Sequence, residues 1–381
     1  MWQRLADLRG PAVPRRPLDA RALAALAANP GCGRRALLDG AGVDKTVLAS
    51  ALGSPASFGQ SQFAIVRGNS FEAKVKGDGG AELLRLVHAH LAAGSEPPGA
   101  DSPVPSPVPD LTAAGPEGRA ARTALALRDA TAAATWTLLD HPMLALEVAG
   151  SPAYLEPDAV VVHPDGRWTV VEIKSFPMID GAADAAKVGA AARQAAVYVL
   201  ALERTAGKVT GAEVGHTVLL VCPKDFSNLP TASPVDVRRE LSVTRRQLER
   251  LTRVEELAAA LPEGLDFDPA RSAEELSEAV SAVSASYAPE CLAACELAFH
   301  CRDGARGAGE VTALGRSVRG ELGALTTVEA ALAAAGGDGC PDDGCPDDPT
   351  AVALRYAARL RAEALEQAPA RIRPEVVECP C

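Results

Sequence analysis

Apolar and polar positions along the chain follow two rhythms. In the middle lie two short β-branched runs, Ala159-Val160-Val161-Val162 and Trp168-Thr169-Val170-Val171-Glu172-Ile173-Lys174. Between them stands His163-Pro164-Asp165-Gly166-Arg167. Proline suits the second position of a type I turn and glycine the left-handed position after it, so Pro164-Asp165-Gly166 reads as a three-residue hairpin loop. That register sets His163 opposite Arg167 and Asp158 opposite Glu172. Lys174, two residues beyond Glu172, shares the face, while Val171 and Ile173 point into the core. Met143–Val148 reads as an earlier strand and His216–Cys222 as a later, buried one. Elsewhere the spacing is helical, over 18–28, 34–38, 60–76, 81–93, 119–135, 182–204, 235–260 and 351–367. Abundant alanine favours these helices and blurs their faces.

The hairpin carries the first candidate chemistry. Two carboxylates and an amine on one face of an apolar hairpin are costly unless something uses them. Hard divalent cations bind through carboxylate oxygens, and a neighbouring lysine orients or deprotonates a water. The plain alternative is a salt-bridged lysine at a strand end. Downstream, Gln194 and Tyr198 lie one helical turn apart on one face. They read either as a working pair or as a surface glutamine beside a half-buried tyrosine. Glu72 has Lys76 four residues on, which alone reads as an exposed helix ion pair.

Cysteines carry the second. Cys291, Cys295 and Cys301 stand close together, and three such thiols in a cytosolic chain point to a metal. Four thiolates complete a zinc site or hold an iron–sulfur cluster. The fourth ligand would come from Cys32, Cys222, Cys340, Cys345, Cys379 or Cys381. Cys222 reads as a core residue. Cys32, ahead of Arg34-Arg35, reads as a half-buried cysteine beside solvated arginines, or as a ligand whose arginines face DNA.

These residues resemble a family. Pro157-Asp158 followed by Glu172-Ile173-Lys174 resembles the PD-(D/E)XK nuclease signature. Gln194-Ala195-Ala196-Val197-Tyr198 resembles the QxxxY element of its RecB-type branch. Gly68-Asn69-Ser70-Phe71-Glu72 resembles that branch's first motif, and all three stand in the family's order. The resemblance covers roughly residues 30–302 and is nearest to CRISPR-adaptation exonucleases and the AddB nuclease domain. It implies an α/β fold of restriction-endonuclease type, a mixed central sheet flanked by helices, with N- and C-terminal helical segments joined by a metal cluster. Asp158, Glu172, Glu72 and the carbonyl of Ile173 would hold magnesium or manganese. Lys174 would activate water, and Gln194 and Tyr198 would position the strand. A leading Cys32 and trailing Cys291, Cys295 and Cys301 would hold a 4Fe-4S cluster, although three residues separate Cys291 from Cys295 where the family has two. The implied activity is an exonuclease, rather than an endonuclease, on single-stranded DNA, in repair or phage defence. The rivals are a non-catalytic DNA-binding adaptor and a zinc-stapled restriction-type endonuclease.

Composition refines this picture. The 381 residues are 48% hydrophobic, enough for a substantial core, and carry a net charge of −11. That excludes a protein coated in basic residues. The charge is uneven, however: residues 1–76 hold 11 Lys/Arg against 5 Asp/Glu, a local basic region in an acidic chain. No G-x-x-x-x-G-K phosphate loop is present, so no helicase motor is expected. The start lacks a signal peptide's apolar core and no stretch is fit to span a membrane, so a cytoplasmic protein is expected. Nine cysteines are then poor candidates for disulfides. Residues 94–118 are rich in Pro, Gly and Ser and read as a surface insertion. The domain reading is a nuclease domain over 1–302 with that insertion, then a helical extension over 303–381. The extension carries an acidic Gly-Cys-Pro-Asp-Asp repeat at 339–348.

Overall fold

The computed structural model describes residues 2–29, 31–55, 62–99, 108–148, 151–225, 227–250, 254–336 and 348–367. The chain forms two compact units, residues 1–286 with 290–300, and residues 287–289 with 301–381. Cys340, Cys345, Cys379, Cys381 and the proline run at 103–107 lie outside the described residues.

The first unit begins with helices α1 (Trp2–Arg9), α2 (Ala20–Ala28), α3 (Gly33–Ala41), α4 (Lys45–Ala51), α5 (Gln62–Lys76), α6 (Ala81–Leu91) and α7 (Gly115–Ala133). Asp19 and Asp44 start α2 and α4 by accepting hydrogen bonds from the first-turn amides. Five short strands follow: β1 (Thr137–Asp140), β2 (Leu144–Val148), β3 (Ser151–Leu155), β4 (Ala159–Val162) and β5 (Arg167–Ile173). Next come α8 (Ala185–Ala206), β6 (Glu213–Val214), β7 (Thr217–Pro223) and β8 (Pro230–Asp236), then α9 (Arg238–Arg250), α10 (Val254–Ala259) and α11 (Ala273–Ser281).

The central sheet runs β1-β4-β5-β7-β8, with β6 also against β5. β4 is antiparallel to β1 and β5, β5 is parallel to β7, and β7 is antiparallel to β8. The fold is therefore α/β with a mixed central sheet flanked by helices. The parallel β5–β7 pair needs a long crossover, and α8 supplies it. On one face Phe71, Val75, Leu83, Leu84 and Val87 of α5 and α6 pack against Val161, Val171, Ile173 and Val221. On the other, Ala191 of α8 meets Leu220 and Cys222, and small side chains let the helix lie close.

Two sequence expectations change. The first strand of the central sheet is Thr137–Asp140. The Met143–Val148 stretch instead pairs with β3, where Leu144, Leu146 and Val148 turn inward beside Ala153 and Leu155. Of the helix expected over 235–260, the described residues form helices over Arg238–Arg250 and Val254–Ala259, and its first residues belong to β8. Pro230 and Pro234 argue against a central strand, but β8 is an edge strand that can do without those amides.

The second unit holds most of α12 (Ala298–Gly307), then α13 (Arg316–Glu321), α14 (Val328–Gly336) and α15 (Pro349–Gln367). α14 and α15 pack on each other through alanine-rich sequence. No helix among the described residues is long and apolar enough to cross a membrane.

Candidate active site

The β4–β5 hairpin has the expected loop. The His163 amide donates to the Arg167 carbonyl at 2.8 Å, and Gly166 turns with φ of 84°. A Cβ at Gly166 would stand 2.2 Å from the Gly211 carbonyl oxygen, so only glycine fits. Ala159 pairs with Val171, a register that carries Asp158 opposite Glu172.

Asp158, Glu172 and Lys174 come together at the end of this hairpin. The Lys174 ammonium lies 3.0 Å from Glu172 Oε2 and 3.7 Å from Asp158 Oδ2. Asp158 Oδ2 also accepts the Ile173 amide at 2.7 Å. The Glu172 carboxyl is fully buried, and no described residue offers its Oε1 a hydrogen bond. Burial pushes the Glu172 carboxyl up to about 8, against the pull of Lys174. At Lys174, burial works against the charge, but Glu172 and Asp158 outweigh it and hold the amine above its ordinary range. The pair is asymmetric: desolvation governs the acid, and two acids govern the base. One orphaned carboxylate oxygen beside a second carboxylate fits the donor set of a hard divalent cation.

Gln194 and Tyr198 meet on α8, with Gln194 Nε2 donating to Tyr198 Oη at 2.8 Å. Tyr198 Oη donates in turn to the Glu156 carbonyl at 3.2 Å, and Arg119 pairs with the Glu156 carboxylate at 2.6 Å. The tyrosine is buried, with its ionisation pushed well up by desolvation and by Glu172. It thus anchors the approach to Pro157-Asp158, while Gln194 faces a cleft.

That cleft, about 390 Å³, is lined by Arg21, Lys174, Phe176, Lys187, Arg193 and Gln194. Ala293 and Ala294 form part of its wall. Another cleft of about 410 Å³, around Arg16 and Phe267, shares no lining residue with it. Arg21, Lys187 and Arg193 were missed in the sequence. Lys187, Ala190, Ala191 and Gln194 follow an i, i+3, i+4, i+7 stripe that Gln194 alone could have revealed.

Glu72 stands with different partners. Its Oε1 lies 2.6 Å from Lys76 Nζ and 3.0 Å from His141 Nε2. His141 Nδ1 lies 3.0 Å from Asp140 Oδ1. Hydrogen bonds from His141 hold Glu72 and Asp140 each down to about 2, and those two acids raise His141 to about 10. Neither Asp140 nor His141 stood out in the sequence, because only the fold brings them to Glu72.

Cys32 caps α3, its sulfur accepting the Arg35 amide at 3.5 Å. The Asn29 amide side chain donates to Cys291 Sγ at 3.3 Å and to the Ser286 carbonyl. Arg34 binds the Val283 and Ser284 carbonyls, and Arg35 binds Asp39 and Glu296. Burial raises the Cys295 thiol while Arg35 draws it down. Cys32, Cys291 and Cys295 thus border the contact that joins Asn29, Arg34 and Arg35 to Val283, Ser284, Ser286, Cys291 and Glu296, and there burial keeps the Cys295 thiol raised on balance. Cys301 belongs to the second unit. The arginines are corrected: Arg34 and Arg35 are buried, neither solvated nor turned to a ligand, because both are spent on that contact. Cys222 is buried, its thiol pushed up to about 12 by desolvation. Among the described residues, no group of three or more His, Cys, Asp or Glu side chains is assembled as a metal site.

Comparison with known proteins finds no matching family model, curated protein or solved structure.

Proposed function

We propose that the chain is a metal-dependent deoxyribonuclease that hydrolyses phosphodiester bonds, with single-stranded DNA as substrate. The observation that carries this reading is the buried Glu172, whose unpartnered oxygen sits across the hairpin from Asp158 with Lys174 against both. Asp158, Glu172 and the Ile173 carbonyl would hold magnesium or manganese. Once bound, such an ion would polarise the phosphate and stabilise the charge that builds on it.

The chain's own groups supply the rest. Lys174 orients the attacking water and offsets charge on the phosphate. Tyr198 and Arg119 fix Glu156, and through it the Asp158 carboxylate. Arg21, Lys187 and Arg193 draw a phosphate backbone into the cleft. Phe176 offers a face on which an unpaired base can stack. The test is digestion of linear and circular single-stranded DNA with and without manganese, using anaerobically purified protein. Cleavage of the linear substrate alone identifies an exonuclease. Binding without cleavage supports the adaptor instead.

The same reading assigns a 4Fe-4S cluster to Cys32, Cys291, Cys295 and Cys301 as a structural staple. Its binding energy would be folding energy. Alanine at each position should bleach the brown protein and lower its melting temperature, whereas Cys222→Ala should leave iron intact. Full iron in Cys32→Ala removes Cys32 from the ligand set. A colourless protein with one zinc per chain replaces the cluster by zinc.

A further inference from the structure

Lys76, the last residue of α5, lies outside the acid–acid–lysine set yet touches it. Its ammonium meets Glu72 Oε1 at 2.6 Å, Asp140 Oδ1 at 2.6 Å and the Asp158 carbonyl oxygen at 2.8 Å. His141 Nδ1 stands at 3.4 Å. Three oxygens match the three donors of an ammonium. They come from α5, the end of β1 and the residue before β4, so the cage forms only when the sheet is complete.

The cage is held rigidly. His141 has φ of 44°, the left-handed region that a residue with a Cβ avoids at a cost of about 1–3 kcal/mol. Four bonds keep it there. Arg119 donates to its carbonyl at 3.0 Å, and its own amide donates to the Asp158 carbonyl at 3.3 Å. Its ring bridges Glu72 and Asp140. The Asp158 carbonyl therefore receives two donors, Lys76 and the His141 amide. Lys174 is held more loosely, by two contacts at 3.0 and 3.7 Å, and its side chain is 25% exposed against 11% for Lys76.

Two carboxylates and a carbonyl converging on one point are the oxygen set of a hard divalent cation. Here an ammonium fills it. Asp158 joins the two places, its carbonyl on Lys76 and its carboxylate on Lys174. Nucleases that use two metals set them about 3.5–4 Å apart across a shared phosphate.

We propose that the Lys76 ammonium is the resident cation of this cage. It stands in for a second divalent ion, positions Asp158 through its carbonyl and takes Glu72 as its counter-ion. The Asp158–Glu172 face then needs one divalent ion, and Glu72 is not among its ligands. Only the identity of that one ion rests on the nuclease reading; the cage does not.

The experiment is manganese titration of the full chain, read by the electron-paramagnetic-resonance signal of free Mn²⁺. The native chain should saturate with one ion at this region, and Glu72→Gln should leave its Kd within about two-fold. Lys76→Met removes the ammonium and should gain one additional Mn²⁺. The same gain should appear when Lys76→Met is added to Asp158→Asn/Glu172→Gln, because the cage uses only the Asp158 backbone. That last comparison reads the cage even if the native face binds no metal, an outcome that would end the nuclease reading alone. Loss of Mn²⁺ affinity by more than about ten-fold in Glu72→Gln, or no added ion in Lys76→Met, overturns the proposal. If Lys76→Met does not fold, the Glu72→Gln titration decides.

Discussion

Two buried ionic groups in the first unit look alike and differ in their accounts of charge. Around Arg35, two bases face two acids: Arg35 and Lys45 against Asp39 and Glu296. At the end of the hairpin, one base faces two acids: Lys174 against Asp158 and Glu172. The first group pairs each acid with a base, and its bonds join α3 to the segment around Glu296, although Arg35 Nη2 has no hydrogen-bond partner among the described residues. The second has one acid more than it has bases, and that acid, Glu172, is kept protonated below about 8 by its burial. A group with a base for every acid belongs to the scaffold, whereas a spare buried acid can exchange its proton for a cation. The lesson is that burial of charge alone does not mark a site; a buried acid without a base of its own does.

Substitutions should separate the two groups sharply. Lys174→Ala is expected to cut cleavage by about 10²–10⁴-fold, the usual worth of a positioned proton-handling group, with melting nearly unchanged. Metal-dependent cleavage retained by a folded Lys174→Ala protein would make the hairpin group as structural as the other. Arg35→Met should do the reverse. It strands Glu296, leaves Asp39 with Lys45 alone, and should cost about 3–5 kcal/mol of stability, measured by denaturant unfolding. The folded fraction should keep its specific activity; a selective loss of activity would give Arg35 a role beyond the scaffold.

The smallest effect is a pH dependence confined to the hairpin group. Glu172 titrates near 8 in the folded chain and near 4.5 when unfolded. Between those values the folded state holds the extra proton. Its contribution to stability is full below about 4.5 and is lost as pH rises through about 8. In chelated protein, stability should therefore fall between about pH 5 and 8, by no more than about 1.4 kcal/mol per unit, and level off above that. Glu172→Gln should flatten that slope. An equally steep profile in Glu172→Gln would place the titrating group elsewhere.

The hairpin was legible because its determinants are local. β-branched residues, a proline and a glycine set the loop, and the loop sets which acids face each other. Gln194 and Tyr198 were legible for the same reason, being one turn apart. What joins distant segments was not. Lys76 meets Asp140 and Asp158 only after α5 has packed on the sheet, and nothing near Lys76 announces it. Arg34 and Arg35 look like surface charges until Val283, Ala294 and Glu296 cover them. β8 was hidden by its prolines, whose missing amides matter only away from an edge. The short β1 gave way in the reading to the longer apolar alternation of Met143–Val148.

The bond from the Ile173 amide to Asp158 Oδ2 makes one backbone proton a natural reporter. At 2.7 Å from a carboxylate oxygen, that proton should resonate downfield and exchange slowly with solvent. Any ligand that draws on Asp158 must change the electron density this proton sees. A single ¹⁵N-labelled isoleucine signal could thus follow occupation of the site without turnover, substrate or a dye. It would work equally well in variants that have lost activity.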